Sequence, residues 1–424
     1  MKWPRGIHPV KAQKLLTTLN ELKRTFRKSR NLNILLASII VVNLGFGILA
    51  PIMPKFATNN LNMDEATLGF AYSLYSLAYI IGLLPAGLVS DRIGCKFCIS
   101  SGVLIFGVTT YLMIHAQNSL EFGILRTLEG FGASLVSPTV FALTVNLAPK
   151  ENKAVVLGAL GTAESIGALG GPGIGGLLAA NLGIYSPFYV TAAISVCCAV
   201  LVLTIDDSHA EHVARSKPAR FSMKKWREGI RCNRIVVALT FRGFIMGIVT
   251  ALWDLGLILF WYSRIHMNET EVGVLLTIGA IVSAIAIIPF GTCSDRYGRR
   301  GLILAGGLAM SVGVGLNIIA FDFWSVCIFV IIAELGTAMS NPSIGATFAD
   351  LIENGKMGSM MGTYLMVKGI GTVFGFSALG LLFVGVGPEI PLLTCCIAIA
   401  AATLIVFLFV PETHTRSISP ERTL

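Results

Sequence analysis

Charge is what this sequence has least of. Asp, Glu, Lys and Arg make up 13% of 424 residues, against about 25% in a soluble chain. That excludes a water-facing surface over most of the length, and the mean hydropathy of +0.76 agrees. The spacing of a disulfide or metal framework is lacking too. Cys197–Cys198 and Cys395–Cys396 are adjacent pairs inside apolar runs, and Cys95 and Cys98 form a lone C-x-x-C with no second pair or nearby His. No metal or redox centre is expected from them. The six histidines are scattered through tails and loops without an H-E-x-x-H, no nucleophile–base spacing stands out, and an enzyme is not expected. A cleavable signal peptide is also missing, because the first apolar run is of spanning length and ends in Pro51 and Pro54, not in small residues.

What the sequence does hold is twelve apolar runs. They lie near 33–54, 67–89, 97–115, 121–147, 154–181 and 185–205, then near 235–262, 272–290, 301–320, 324–349, 358–386 and 390–410. Spanning a bilayer takes about 20 residues at 1.5 Å rise each, so the expected fold class is an all-α membrane protein with twelve transmembrane helices. Of the 32 Lys and Arg residues, all but Lys55, Arg264 and the intramembrane Arg126, Arg242 and Lys368 fall in the two tails and the even-numbered loops. The positive-inside rule then puts both termini in the cytoplasm of a multi-pass protein of the cell (inner) membrane. The net charge of +9 follows from that topology, and no nucleic-acid partner is needed to explain it.

The expected organisation is a basic tail (1–30), a six-helix half (31–206), a polar connector (207–233), a second six-helix half (234–411) and a short tail (412–424). In the first tail Leu15, Leu16, Leu19, Leu22 and Phe26 recur at helical spacing among lysines and arginines, which fits a helix on an anionic membrane surface or an ordinary solvated tail. Phe221, Trp226 and Ile230 are candidate interfacial anchors in the connector.

The halves repeat at an offset of 204 residues. GLVSDRIGCK begins at Gly87 and GTCSDRYGRR at Gly291, sharing the frame G-x-x-S-D-R-x-G; Pro138 pairs with Pro342, and Gly158 with Gly362. Registers kept at one offset mean parallel repeats related by an axis along the membrane normal. Gly87, Gly94, Gly291 and Gly298 permit tight packing and a sharp turn there. Asp91, Arg92, Asp295 and Arg296 put the same charge order at both helix junctions, which suits a gating loop better than a plain turn.

With these features, and the closing VPET at Val410–Thr413, the chain resembles the major facilitator superfamily over nearly its whole length beyond the tail. The first loop departs from the family's usual G-x-L-A-D-R-x-G-R-K at Val89, Ser90 and Cys95. The resemblance implies that Asp91 meets the start of the eleventh helix, near Gly355–Gly358, when the cytoplasmic side is closed. In the fifth helix, GALGGPGIGG (Gly167, Gly171, Pro172, Gly175, Gly176) resembles the antiporter motif of the drug/proton branch. Glycines so spaced allow close helix approach, and proline allows a bend. The stretch from Gly371 lacks the proline, so the feature is expected in one half only. LGFGILAPIMP from Leu44 and RTLEGFGAS from Arg126 resemble the same branch, with Glu129 where glutamine is usual.

Seven ionisable residues fall inside the spans: Arg126, Glu129, Glu164, Arg242, Asp254, Glu334 and Lys368. Each costs at least about 2.5–3.5 kcal/mol facing lipid at mid-membrane, so they should face a cavity or one another. The resemblance puts helices 1, 4, 7 and 10 around that cavity, which would bring Arg126, Glu129, Arg242, Asp254 and Glu334 to it, with Glu164 and Lys368 at equivalent positions on helices 5 and 11. The leading expectation is a proton-coupled exporter of small lipophilic or cationic molecules, monomeric, with a proton gradient as driving force and no cofactor. The alternatives are a proton-linked importer of a metabolite or organic anion, and a non-transporting membrane receptor or assembly factor. An anion site should carry net positive charge, whereas the seven sum to one negative.

Overall fold

The computed structural model describes residues 29–149, 153–206, 234–351, 357–410 and 412. The expected surface helix of the first tail, the connector and the last tail beyond Glu412 lie outside the described residues. Among the described residues twelve long helices, two of them interrupted, follow in order, the first half having α1 (Arg30–Leu49, resuming as Ile52–Asn60), α2 (Glu65–Ile93), α3 (Cys95–Met113), α4 (Ser119–Leu147), α5 (Lys153–Leu182) and α6 (Ser186–Leu203). The second half has α7 (Arg234–Ala251, a π turn Leu252–Gly256, then Leu257–Ser263), α8 (Glu269–Tyr297), α9 (Arg299–Leu316), α10 (Phe323–Leu351), α11 (Met357–Gly385) and α12 (Glu389–Phe409). Among the described residues eleven are long and apolar enough to cross a membrane unaided. The twelfth, α5, is diluted by its glycines and by Thr162, Glu164 and Ser165.

The 204-residue repeat reaches into backbone geometry. Every described residue with positive φ has its counterpart: Asn62 with His266, Gly94 with Gly298, Gly183 with Gly387. Helix starts match as well. The Asp64 and Asn268 side chains accept the third backbone N–H of α2 and α8 (3.0 and 2.9 Å), and Asn118 and Asp322 do the same for α4 and α10 (2.9 Å each). Such caps satisfy donors that a helix start leaves bare. Gly94 (φ 93°, ψ 153°) and Gly298 (φ 103°, ψ 157°) sit in a region open essentially to glycine alone. That explains the glycine closing both doubled loops. At the second loop the Glu412 carboxylate accepts the N–H groups of Arg299 and Arg300 (2.9 and 3.1 Å), and Arg300 Nε donates to the Phe407 carbonyl (2.7 Å). The end of α12 is thereby fastened to the start of α9.

Within each half, glycines set the spacing. Gly167, Gly171 and Gly175 of α5 lie against the backbone of α1 at Ile40, Leu44–Gly47 and Ile48. Gly371 and Gly375 of α11 lie likewise on α7 at Phe244 and Ile248, 204 positions from the first pair. Two of the three glycine contacts thus recur in the second half, while Pro172, with Phe376 in its place, is one-sided.

Two seams join the halves, and they too are counterparts. Gly176 meets Glu269 and Thr270, Gly273 meets Pro172, and the Gly173 N–H donates to Thr277 Oγ1 (2.9 Å), tying α5 to α8. Gly380 meets Glu65 and Ala66, Gly69 meets Phe376, and Ser73 donates to the Val373 carbonyl (2.9 Å) while sharing a bond with the Ser377 hydroxyl (2.8 Å), tying α2 to α11. Small residues let the backbones approach closely enough for these contacts. The largest apolar cluster crosses the same end of the bundle, bringing Ile52, Met53 and Phe56 together with Leu255, Ile258 and Trp261.

At that end Lys55 Nζ lies 2.7 Å from Glu269 Oε1 and 5.1 Å from the Tyr262 ring centre, and the Tyr262 hydroxyl donates to the Pro51 carbonyl (2.8 Å). At the other end, a Cβ added to Gly87, Gly158, Gly291, Gly345 or Gly362 would meet no described atom within 4 Å. The Lys55–Glu269 and Tyr262–Pro51 contacts join the two halves at the Lys55 end.

Candidate functional site

The seven ionisable residues of the spans divide into a central group and two outliers. On α4, Arg126 and Glu129 stand one turn apart, and Arg126 Nη1 donates to Glu129 Oε2 at 2.6 Å. Both are buried, Glu129 to 1% exposure. The guanidinium lies 4.3 Å from the Tyr72 ring centre and 4.6 Å from that of Tyr75, both on α2. A cation so placed gains from two aromatic faces as well as from its carboxylate. One oxygen of Glu129 and the Nε of Arg126 are buried with no hydrogen-bond partner among the described residues. The pair thus has spare hydrogen-bonding capacity inside the bundle.

Asp254 comes from the π turn of α7. An extra residue in the turn breaks the regular hydrogen-bond ladder, a distortion frequent at functional sites. The counterpart of that turn is the interruption of α1 at Ala50–Pro51, so both opening helices are irregular at the same level. Asp254 is exposed, and its strongest charge partners are Lys368 on α11 and then Arg126 of the first half. Arg242, 3% exposed, donates from Nη2 to Ser340 Oγ on α10 (2.9 Å) and bonds Tyr364 on α11.

Glu164 and Glu334 stand away from this group. Glu334 is set against Gly279 and Ser283 of α8. Glu164 is exposed on α5 and lines a cavity of about 310 Å³ within the first half. At ordinary charges the seven residues sum to one negative, but Arg126, Arg242 and Lys368 against Glu129 and Asp254 leave the centre with one positive. The sign of the whole set is therefore not the sign of the central group.

The structure brings together five of the seven residues singled out in the sequence. It adds Tyr72 and Tyr75, which sequence reasoning passed over although Tyr72, Tyr75 and Tyr79 share one helix face by their spacing. Ser340 and Tyr364 had no sequence signal, being drawn in from two other helices. Gly87, Gly94, Gly291, Gly298, Arg92 and Arg296 lie at the end of the bundle away from Lys55, as does the backbone of Asp91 and Asp295.

The profile of the Major Facilitator Superfamily matches residues 35–265 and 243–423, and the chain belongs to that family of transporters. Multidrug resistance protein 1 of Bacillus subtilis (strain 168) is 27% identical over 368 residues, covering 84% of this chain and 90% of the relative. Quinolone resistance protein NorA of Staphylococcus aureus (strain COL) is 23% identical over 328 residues, covering 76% and 82%. Among solved structures, the nucleoside transporter NupG superposes with a TM-score of 0.73 at 14% identity, covering 90% of this chain and 98% of that one. The D-xylose–proton symporter does so with a TM-score of 0.73 at 15% identity and the same coverage. These likenesses establish the fold of an integral, multi-pass membrane transporter.

Proposed function

We propose that this chain exports small lipophilic or cationic molecules in exchange for protons, by alternating access. The observation that carries the reading is the set of carboxylates placed within the spans: Glu129 pinned by Arg126, Asp254 coupled to a charge of each half, and Glu164 and Glu334 with no basic partner among the described residues. A carboxylate that changes partners as access alternates can take up a proton on one side and release it on the other. The resistance proteins among the relatives support export over uptake. In this reading the positive-inside bias puts the Gly94 end in the cytoplasm, and the Lys55–Glu269 contact then lies on the outward side.

In this scheme Arg126 keeps Glu129 ionised until a substrate or a change of state parts them. Proteoliposomes with an imposed pH gradient test the reading. Uphill export should collapse when the carrier among Glu129→Gln, Glu164→Gln, Glu334→Gln and Asp254→Asn is neutralised, while passive exchange continues. Full gradient-driven transport in all four would refute an essential carboxylate. The positive sum of the central group favours one alternative, an organic anion drawn to Lys368 and Arg242, and a panel of probes of opposite charge separates the two.

A further inference from the structure

The cavity beside Glu164 is lined by first-half residues alone, from Leu35 to Val202, and so lies to one side of the divide. Its volume of about 310 Å³ is at the lower end of the ~300–1,000 Å³ typical of ligand pockets. Most of the wall is apolar, with Phe46, Val136 and Val140 among its members, while Tyr75 and Tyr79 contribute aromatic rings. Glu164 supplies the one ionisable carboxylate of the lining, and Ser137 is exposed into it. A neutral hydrocarbon would leave that carboxylate unmatched, and an anion would be repelled by it.

We infer that this recess is a binding subsite for a small, flat lipophilic monocation, with Glu164 as counter-charge and Tyr75 and Tyr79 as aromatic walls. The inference rests on the exporter reading for its substrate class and adds the place where the molecule sits. Aromatic faces attract a desolvated cation, and a carboxylate in an apolar wall favours it over a neutral molecule of the same shape. Tyr75 gives the subsite a route to the charge centre: the same ring lies 4.6 Å from the Arg126 guanidinium. A guest that shifts Tyr75 therefore alters one wall of the Arg126–Glu129 pair. The symmetric position in the second half holds Lys368 in place of Glu164, so no twin subsite for a cation is expected there.

The test uses the full-length protein in lipid nanodiscs with tritiated 1-methyl-4-phenylpyridinium as probe and 4-methylbiphenyl as its neutral isostere. Saturable binding of the cation is expected, with the isostere competing at least about tenfold more weakly, as loss of a charged partner implies. Glu164→Gln should weaken cation binding by about tenfold or more, Glu164→Asp should keep most of it, and Ser137→Phe, which fills the recess, should remove it. Should either variant not fold, an azido derivative of the cation should label residues 133–140 of the native protein. Unchanged affinity in both variants, an equally strong isostere, no binding by the native protein, or labelling confined to the second half would overturn the subsite. Transport assays keep this apart from the exporter reading. Glu164-dependent binding without gradient-driven export sinks the exporter and leaves the subsite, while export with Glu164-independent binding does the reverse.

Discussion

Replacing Lys55 by Met should tip the conformational balance of the protein. Lys55 reaches from the first half to Glu269 of the second at 2.7 Å, with the two side chains 24% and 21% exposed. An ion pair with that much water access is worth about 1 kcal/mol or less after screening. The Tyr262 ring at 5.1 Å adds about 0.5 kcal/mol. The pair has no counterpart, since 204 positions from Lys55 stands Leu259, so nothing repeats it on the other seam. The whole of this contact exists only while the Lys55 end is shut. Losing about 1.5 kcal/mol from one state multiplies the population of the other by about tenfold. Spin labels at Asn59 and Ser263, one on each half and both exposed, should report it. Their distance distribution should gain a longer component in Lys55→Met, and Glu269→Gln, which leaves the Lys55–Tyr262 contact in place, should shift it in the same direction by less. Distributions superimposable on the native one in both variants would refute the idea that this contact holds the end closed.

Other perturbations follow from the seams and turns. Gly176→Leu puts a side chain into the Glu269 and Thr270 backbone, so it should hold the Lys55 end apart and stop turnover while the protein still reaches the membrane, as cysteine accessibility at that end would show. Gly298→Ala forces a side chain into a conformation costing about 1–3 kcal/mol and pushes on Glu412. Its thermal stability should fall further than that of Gly301→Ala, where a Cβ meets nothing within 4 Å. Bonds from Thr67 hold the Asp64 carboxyl below its ordinary value, so its cap contributes at neutral pH and is lost as pH falls through that lowered value. The stability gap between native protein and Asp64→Ala, about 1 kcal/mol or less at pH 7, should therefore close on acidification in a melting series. Asp91→Asn should slow transport and raise cysteine accessibility at the Gly94 end; normal turnover with unchanged accessibility would reduce the loop to a packing turn.

The sequence revealed a great deal of this molecule because membrane helices announce themselves by length and apolarity, and because a repeated chain is its own alignment. The spans, the doubled loops and the seven buried charges were all readable. Hydropathy is blind to where a helix loses its regularity, so the break at Ala50–Pro51 and the π turn that carries Asp254 were not. Asn62 and His266 adopt the same left-handed backbone with different side chains, and no residue match could reveal that pairing. Which charges meet was hidden for another reason. Asp254, Lys368 and Arg126 come from three helices, and their meeting depends on how the halves lean together. The Glu164 recess is built from residues spread over most of the first half, so no local pattern marks it.

The Asn62–His266, Gly94–Gly298 and Gly183–Gly387 pairs bear on how such a protein can change over generations. Backbone conformation and seam packing are held in duplicate, whereas the chemistry is held singly: Arg126 faces a valine at its counterpart 330, Glu129 an alanine at 333, and Asp254 an alanine at 50. Substitutions far apart in a structure act nearly independently. A new cargo preference can therefore arise at the unpaired positions without retuning the rocking hardware, and the hardware can be copied from one half to the other without importing a preference. Duplication here separates what must stay the same from what is free to vary.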